Sequence, residues 1–108
     1  MTATETAGLA GRVRQLGPWF HDLELNGVRT APNHPLGNFL RELWSLAAPA
    51  FPEDMTGMTV LDIGCNAGFY SLQLASRGAS VTGIDHDPRY LAQARLAAEV
   101  IGADLGID

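Results

Sequence analysis

The sequence predicts an α/β fold built on a parallel sheet. Three observations carry this reading. TVLDI at 59–63 and SVTGI at 80–84 have the length and composition of strands. A helix-length segment follows each of them across a short loop, an order that implies parallel strands and right-handed crossovers. The first strand runs directly into DIGCNAG, residues 62–68, a turn of glycines and small side chains. Open parallel sheets bind ligands at the carboxyl ends of their strands, where this turn would lie.

The elements follow in order. Glu5 to Leu16 reads as a helix with Leu9, Val13 and Leu16 on one face, ended by Gly17-Pro18. WFHDLELNGVRT, residues 19–30, suggests a hairpin turning at Asn26-Gly27, because both positions accept positive φ. A loop with two prolines follows. Leu36, Phe39, Leu40, Leu43, Trp44 and Ala47 then recur at helical spacing, which predicts an amphipathic helix over 36–48 with Trp44 in the core and Arg41 on the solvated face. Residues 49–58 form a connector.

Thr59 to Ile63 lacks polar alternation, as expected of a strand covered on both faces. A helix from Gly68 to Ser76 stops at Gly78. Ser80 to Ile84 is the second strand. Asp87-Pro88 supplies an N-cap and a first-turn proline for a last helix, with Leu91, Ala94, Ala98 and Ile101 as its buried face and Gly102 as its terminator. Only ADLGID, residues 103–108, remains for the start of a third-strand region. The expected architecture is the first β-α-β-α portion of a Rossmann-like sheet (57–108), preceded by a helix, hairpin and amphipathic helix (1–56). Two strands and two helices bury little apolar surface, so a homodimer or a swapped oligomer through the exposed sheet edge is expected.

Composition narrows the partners. The chain has 108 residues, a size for one small domain or part of a larger one, and its 46% hydrophobic content is that of a globular chain. The net charge is −5. Residues 1–50 balance Arg12, Arg14, Arg29 and Arg41 against Glu5, Asp22, Glu24 and Glu42, so the deficit lies in 51–108. No basic stripe is present to neutralise phosphates, and nothing in the charge recommends a nucleic acid. No apolar run approaches the roughly 20 residues of a membrane span. The first residues lack a leader pattern, and the single cysteine, Cys65, excludes an internal disulfide. These features lead to an expectation of a cytoplasmic protein.

The turn fits neither common phosphate-binding pattern. Asn66 stands where a dinucleotide fingerprint needs its second glycine, and a P-loop needs a lysine, of which the chain has none. A helix N-terminus still favours an anionic group such as a carboxylate. Asp62, at the strand end, could face an ammonium or sulfonium. Asp85 closes the second strand 17 residues after Gly68, where a carboxylate can accept hydrogen bonds from both hydroxyls of a ribose. A zwitterionic ligand carrying a nucleoside would satisfy all three features.

VLDIGCNAGFYSLQLASRGASVTGIDHDPRYLAQAR, residues 60–95, resembles the N-terminal half of class I S-adenosylmethionine-dependent methyltransferases. Their turn reads acid-x-G-x-G-x-G, often with Asn at the middle glycine, and Asp62, Gly64, Asn66 and Gly68 match it. Residues 18–35 resemble, more weakly, the segment ahead of the core in the branch of tRNA wobble-uridine (mo5U34) methyltransferases and carboxymethyltransferases.

The resemblance implies an enzyme that uses S-adenosyl-L-methionine. Gly64, Cys65, Asn66 and Gly68 would wrap its methionine part. Asp62 would act on its amino group, Asp85 would bind the ribose, and His86 would lie beside the adenine. No metal is expected. The acceptor, a small molecule or tRNA, and any catalytic base are not given, and the later family motifs are missing, so a fragment of a methyltransferase is expected. The alternative is a non-catalytic binding module or partner subunit on a half-Rossmann scaffold. A nicotinamide-dependent oxidoreductase is disfavoured by the glycine spacing. Cys65 is read as a small buried loop residue without a supporting histidine, and His21 and His34 as residues with structural hydrogen bonds.

Overall fold

A computed structural model describes all residues, Met1–Asp108. Helix α1 spans Ala3–Gln15, opened by a capping box in which Thr2 and Glu5 satisfy each other's backbone amides. Leu9 and Val13 are its buried residues. A short hairpin follows, β1 (Glu24–Leu25) and β2 (Val28–Arg29), joined by Asn26 and Gly27 at φ 49° and 86°. Helix α2 covers Phe39–Ala47 and continues into a single 3₁₀ turn, Ala48–Ala50.

The remaining elements are β3 (Thr59–Ile63), α3 (Phe69–Ser76), β4 (Ser80–Ile84), α4 (Pro88–Ile101) and β5 (Leu105–Ile107). The three strands form one parallel sheet in the order β3-β4-β5. Asp87 caps α4 through the Arg89 amide, Pro88 opens it, and Gly102 closes it at φ 77°. The chain thus supplies three strands where two were expected, because residues 105–107 already pair with 81–83.

The N-terminal segment shares one core with the turn and with helices α3 and α4. Leu9, Val13, Trp19, Leu23, Leu25 and Leu40 pack with Ala67, Phe69, Leu72, Leu96 and Ala97. This sharing rotates the buried face of α4. Gln93, Ala94, Leu96, Ala97 and Ala98 are buried; of the expected face, Ala94 and Ala98 are there, whereas Leu91 is half-buried and Ile101 exposed. The cause is that α4 touches the N-terminal segment as well as the sheet: Gln93 Nε2 donates to the carbonyls of Leu16 (2.7 Å) and Pro18 (3.0 Å). In α2, only Leu40 is buried. Leu36 lies outside the helix and Leu43 is exposed, while Trp44 is half-buried against the core and stacks on Phe51.

The expectation that β3 is covered on both faces fails. Val60 and Asp62 stand beside Val81 and Gly83 on the covered side, but Leu61 is 57% and Ile63 75% exposed on the other. Successive right-handed crossovers that advance in one direction put their helices on one side of a sheet. The second face is therefore bare.

Candidate functional site

Residues 64–68 turn the chain from β3 into α3. Gly64, Asn66 and Gly68 alternate in the left-handed region at φ 73°, 53° and 87°. Glycine enters that region without steric cost, and asparagine is the side chain best suited to replace it there. The middle position thus tolerates Asn for a backbone reason, and Asn66 adds a bond of its own by accepting the Ala67 amide at 2.7 Å. The amides of Gly64 and Cys65 both donate to the Ile84 carbonyl (2.8 and 2.9 Å), which ties the turn to the end of β4.

Asp85 completes that tie. Its Oδ2 accepts the Asn66 amide at 2.9 Å and its Oδ1 the Asp87 amide at 3.0 Å. The side chain is only 6% exposed. Desolvation pushes its carboxyl up, but the amides of Asp87 and Asn66 outweigh this and hold the pKa below the usual value. Each oxygen keeps an unused lone pair, so Asp85 can organise the turn and still accept from a ligand hydroxyl.

Asp62 projects to the covered side of β3, where Ser71 Oγ, wholly buried, donates to its Oδ2 at 2.6 Å. Cys65 is buried below the turn. Burial, with Asp62 and Asp85 nearby, pushes its thiol up to about 11, which removes thiolate chemistry at neutral pH. It fits there because β4 offers Gly83: a Cβ on that residue would meet Cys65 Sγ at 3.0 Å, Cys65 Cβ at 3.1 Å and Ser71 Oγ at 3.3 Å. His86 is the opposite case. Its side chain is 97% exposed and lies 3.4 Å from Asp85 Oδ1.

A cavity of about 550 Å³ opens at the carboxyl ends of the strands, lined by Ile63, Gly64, Ile84, Asp85, His86 and Asp108. The structure therefore brings Gly64, Asp85 and His86 to one cavity; Asn66 is tied to it through Asp85, and Gly68 lies outside the lining. Asp62 and Cys65 lie beneath the turn and outside that lining. The cavity holds two carboxylates and no arginine, a lining suited to a hydroxyl-bearing or cationic ligand rather than to a pyrophosphate. A Cβ built on Gly64 meets nothing within 4 Å, so a ligand can approach its backbone closely. These features fit a ribose with an attached amino-acid group. No group of three or more His, Cys, Asp or Glu residues is placed to hold a metal.

Two contributors, Ser71 and Asp108, were not singled out from the sequence, and a third, His21, was read only as a residue with a structural hydrogen bond. Ser71 orients Asp62. Asp108 lines the cavity, its amide donating to the Gly83 carbonyl at 2.9 Å. His21 arrives from the N-terminal segment, buried, with Nδ1 accepting the Phe69 amide at 3.5 Å. That contact spans 48 residues, and no local spacing announces it.

Turn, strand-end acid and parallel sheet together define a nucleoside-binding α/β domain. Residues 60–106 match the family model of a methyltransferase domain. The ubiquinone biosynthesis O-methyltransferase of Methylocella silvestris is 36% identical over 97 residues, covering 82% of this chain and 35% of the relative. That of Pseudomonas paraeruginosa is 57% identical over 42 residues, 39% of this chain and 18% of the relative. Among solved structures, the N-terminal domain of EvdMO1 with SAH bound superposes with a TM-score of 0.75 at 23% identity, over 95% of this chain and 44% of that one. Residues 60–106 accordingly match part of a class I S-adenosylmethionine-dependent methyltransferase domain. The chain spans about a third or less of the two curated relatives.

Proposed function

We propose that this chain binds S-adenosyl-L-methionine at the cavity beside Gly64 and serves methyl transfer to an acceptor oxygen. The observation that carries the reading is the alternation of left-handed residues at 64, 66 and 68, tied by Asp85 into a cavity with two carboxylates. The cofactor would supply an electrophilic methyl on sulfonium for in-line attack. The residues would bind and orient it: Asp85 through ribose hydroxyls, Gly64 by close backbone approach, and His86 at the open rim beside the adenine. Asp62 would act on the amino group through water, since Ser71 already occupies one of its oxygens.

The O-methyltransferase names of the relatives favour a hydroxyl acceptor. They lend no support to the wobble-uridine branch suggested by residues 18–35, and with a net charge of −5 a small-molecule acceptor is the better reading. Calorimetric titration with S-adenosylmethionine, S-adenosylhomocysteine and NAD tests the cofactor. Heat is expected with the first two and none with NAD; silence with all three would overturn it. Asp85→Ala should weaken S-adenosylhomocysteine about tenfold or more, from lost hydrogen bonds and a loosened turn.

A second reading keeps the binding and drops the turnover. It is favoured by the bare face of β3, with Leu61 and Ile63 exposed, which leaves this chain without the shell that excludes water from a transfer site. Under it, the chain is a binding module or partner subunit, and binding without methyl transfer is expected. For either reading, the outer edge of β3 would pair with a second copy. Light scattering should then give a dimer mass; a monomer mass would overturn this pairing.

A further inference from the structure

A second cavity, of about 530 Å³, lies between α1 and the loop that follows β2. It shares no lining residue with the cavity beside Gly64, and its charge is opposite. Arg14 and Arg29 are among its 14 lining residues, and no carboxylate is. Asp22, which pairs with Arg29, is buried, and Glu24 stands opposite Arg29 in the hairpin register; neither lines the cavity. In a chain of net charge −5, an acid-free cavity with two guanidinium groups is a local reversal.

Arg14 is the free cation of the two. Arg12, Arg29 and Arg41 are in ion pairs and Arg77 and Arg95 donate to carbonyls, whereas the Arg14 guanidinium has no acceptor in the chain. The walls beside it are apolar and stiff. Val13 and Trp19 are buried, and Trp19 Nε1 donates to the Val13 carbonyl at 2.7 Å, which fixes the indole. Pro18 and Pro32 line the cavity with backbone that cannot rotate at φ. A preformed apolar cavity of this size suits a small molecule. A guanidinium suits a planar oxyanion, which it can hold through two parallel hydrogen bonds.

We propose that this cavity is a second ligand site, for a small aromatic carboxylate. Arg14 takes the carboxylate, and the ring lies against Val13, Pro18 and Trp19. Arg29 adds positive charge without leaving Asp22. An inorganic anion gains nothing from the apolar walls, and a neutral aromatic gains nothing from Arg14. The proposal goes beyond the cofactor reading and does not rest on it.

2-Naphthoate is the probe, followed on the full chain by calorimetry and by the Trp19 indole ¹H–¹⁵N resonance, which should shift. Arg14→Gln should weaken 2-naphthoate about tenfold, the size of one hydrogen bond to a charged group. Arg14 is exposed, so this variant keeps the fold. Arg89→Gln removes the other unpaired guanidinium, outside the cavity, and should change the affinity less than about twofold in 0.15 M salt. 2-Naphthalenemethanol and inorganic phosphate should each bind at least about tenfold more weakly than 2-naphthoate. Saturating S-adenosylhomocysteine should leave 2-naphthoate binding unchanged, because the two linings have no residue in common. An unmoved Trp19 resonance overturns the proposal. So does an equal loss in the Arg14 and Arg89 variants, which would show diffuse attraction to positive charge. Competition with S-adenosylhomocysteine also overturns it, by placing the probe beside Gly64. The cofactor reading stands or falls separately, on its own titration.

Discussion

Residues 57–108 and residues 1–56 reach order by different means. In the first, order comes from many equivalent backbone bonds between successive elements. The strands β3 and β4 pair residue for residue from 59 with 80 to 63 with 84, and the turn is fixed by backbone bonds to Ile84 and one carboxylate. In the second, the hairpin strands are two residues long, and order comes from single side-chain contacts. Trp19 Nε1 donates to the Val13 carbonyl at 2.7 Å, Gln93 holds Leu16 and Pro18, and buried Asp22 accepts from Arg29 and Arg41. A regular unit distributes its stability over many equivalent bonds, while an irregular one concentrates it in a few side chains.

The comparison can be broken most forcefully from the regular side. Gly83→Val should drive β4 into Cys65 and Ser71, costing about 3 kcal/mol by urea unfolding and abolishing S-adenosylhomocysteine binding. A change below about 1 kcal/mol would mean that the turn relaxes freely. Gln93→Leu attacks the irregular side. It removes both bonds to the N-terminal segment, with an expected loss of about 1–2 kcal/mol and faster proteolysis within residues 1–35. If cleavage instead appears first within 57–108, the two regions do not differ as argued.

Acidity probes the join between them. Burial is the main cause that lowers the pKa of His21 from 6.5 to about 4, outweighing Asp85, which raises it. The unfolded chain therefore takes up a proton that the folded one refuses. Stability from this group is complete above pH 6.5 and falls as the pH drops towards 4, by about 1 kcal/mol per unit. His21→Asn should flatten that slope in urea titrations at stepped pH. The smallest effect concerns Cys65. With its thiol pushed up to about 11, the folded chain at pH 8 should react with iodoacetamide at least tenfold more slowly than the urea-unfolded chain. Equal rates would contradict a buried thiol.

Legibility divided along the same line. The bounds of β3 and β4, the N-cap at Asp87 and the stop at Gly102 follow from strand composition, capping chemistry and glycine, all local. Gly64, Asn66 and Gly68 were legible as a turn because left-handed backbone restricts residue type. The buried face of α4 was not legible, since Gln93 faces a segment 75 to 77 residues earlier in the chain. Leu61 and Ile63 misled for a related reason: their apolar character suits a covered sheet, and nothing local tells that one cover is missing.

By itself, the sequence determined a parallel β-α-β-α unit, a glycine-rich turn after the first strand and an acid at 85, because each depends on backbone preferences within a few residues. Tertiary structure alone decided three things. It turned Asp62 towards Ser71, brought Asp108 into the cavity, and set His21 against the first amide of α3. Those outcomes depend on how distant segments pack, and packing is a property of the whole chain that no local spacing encodes.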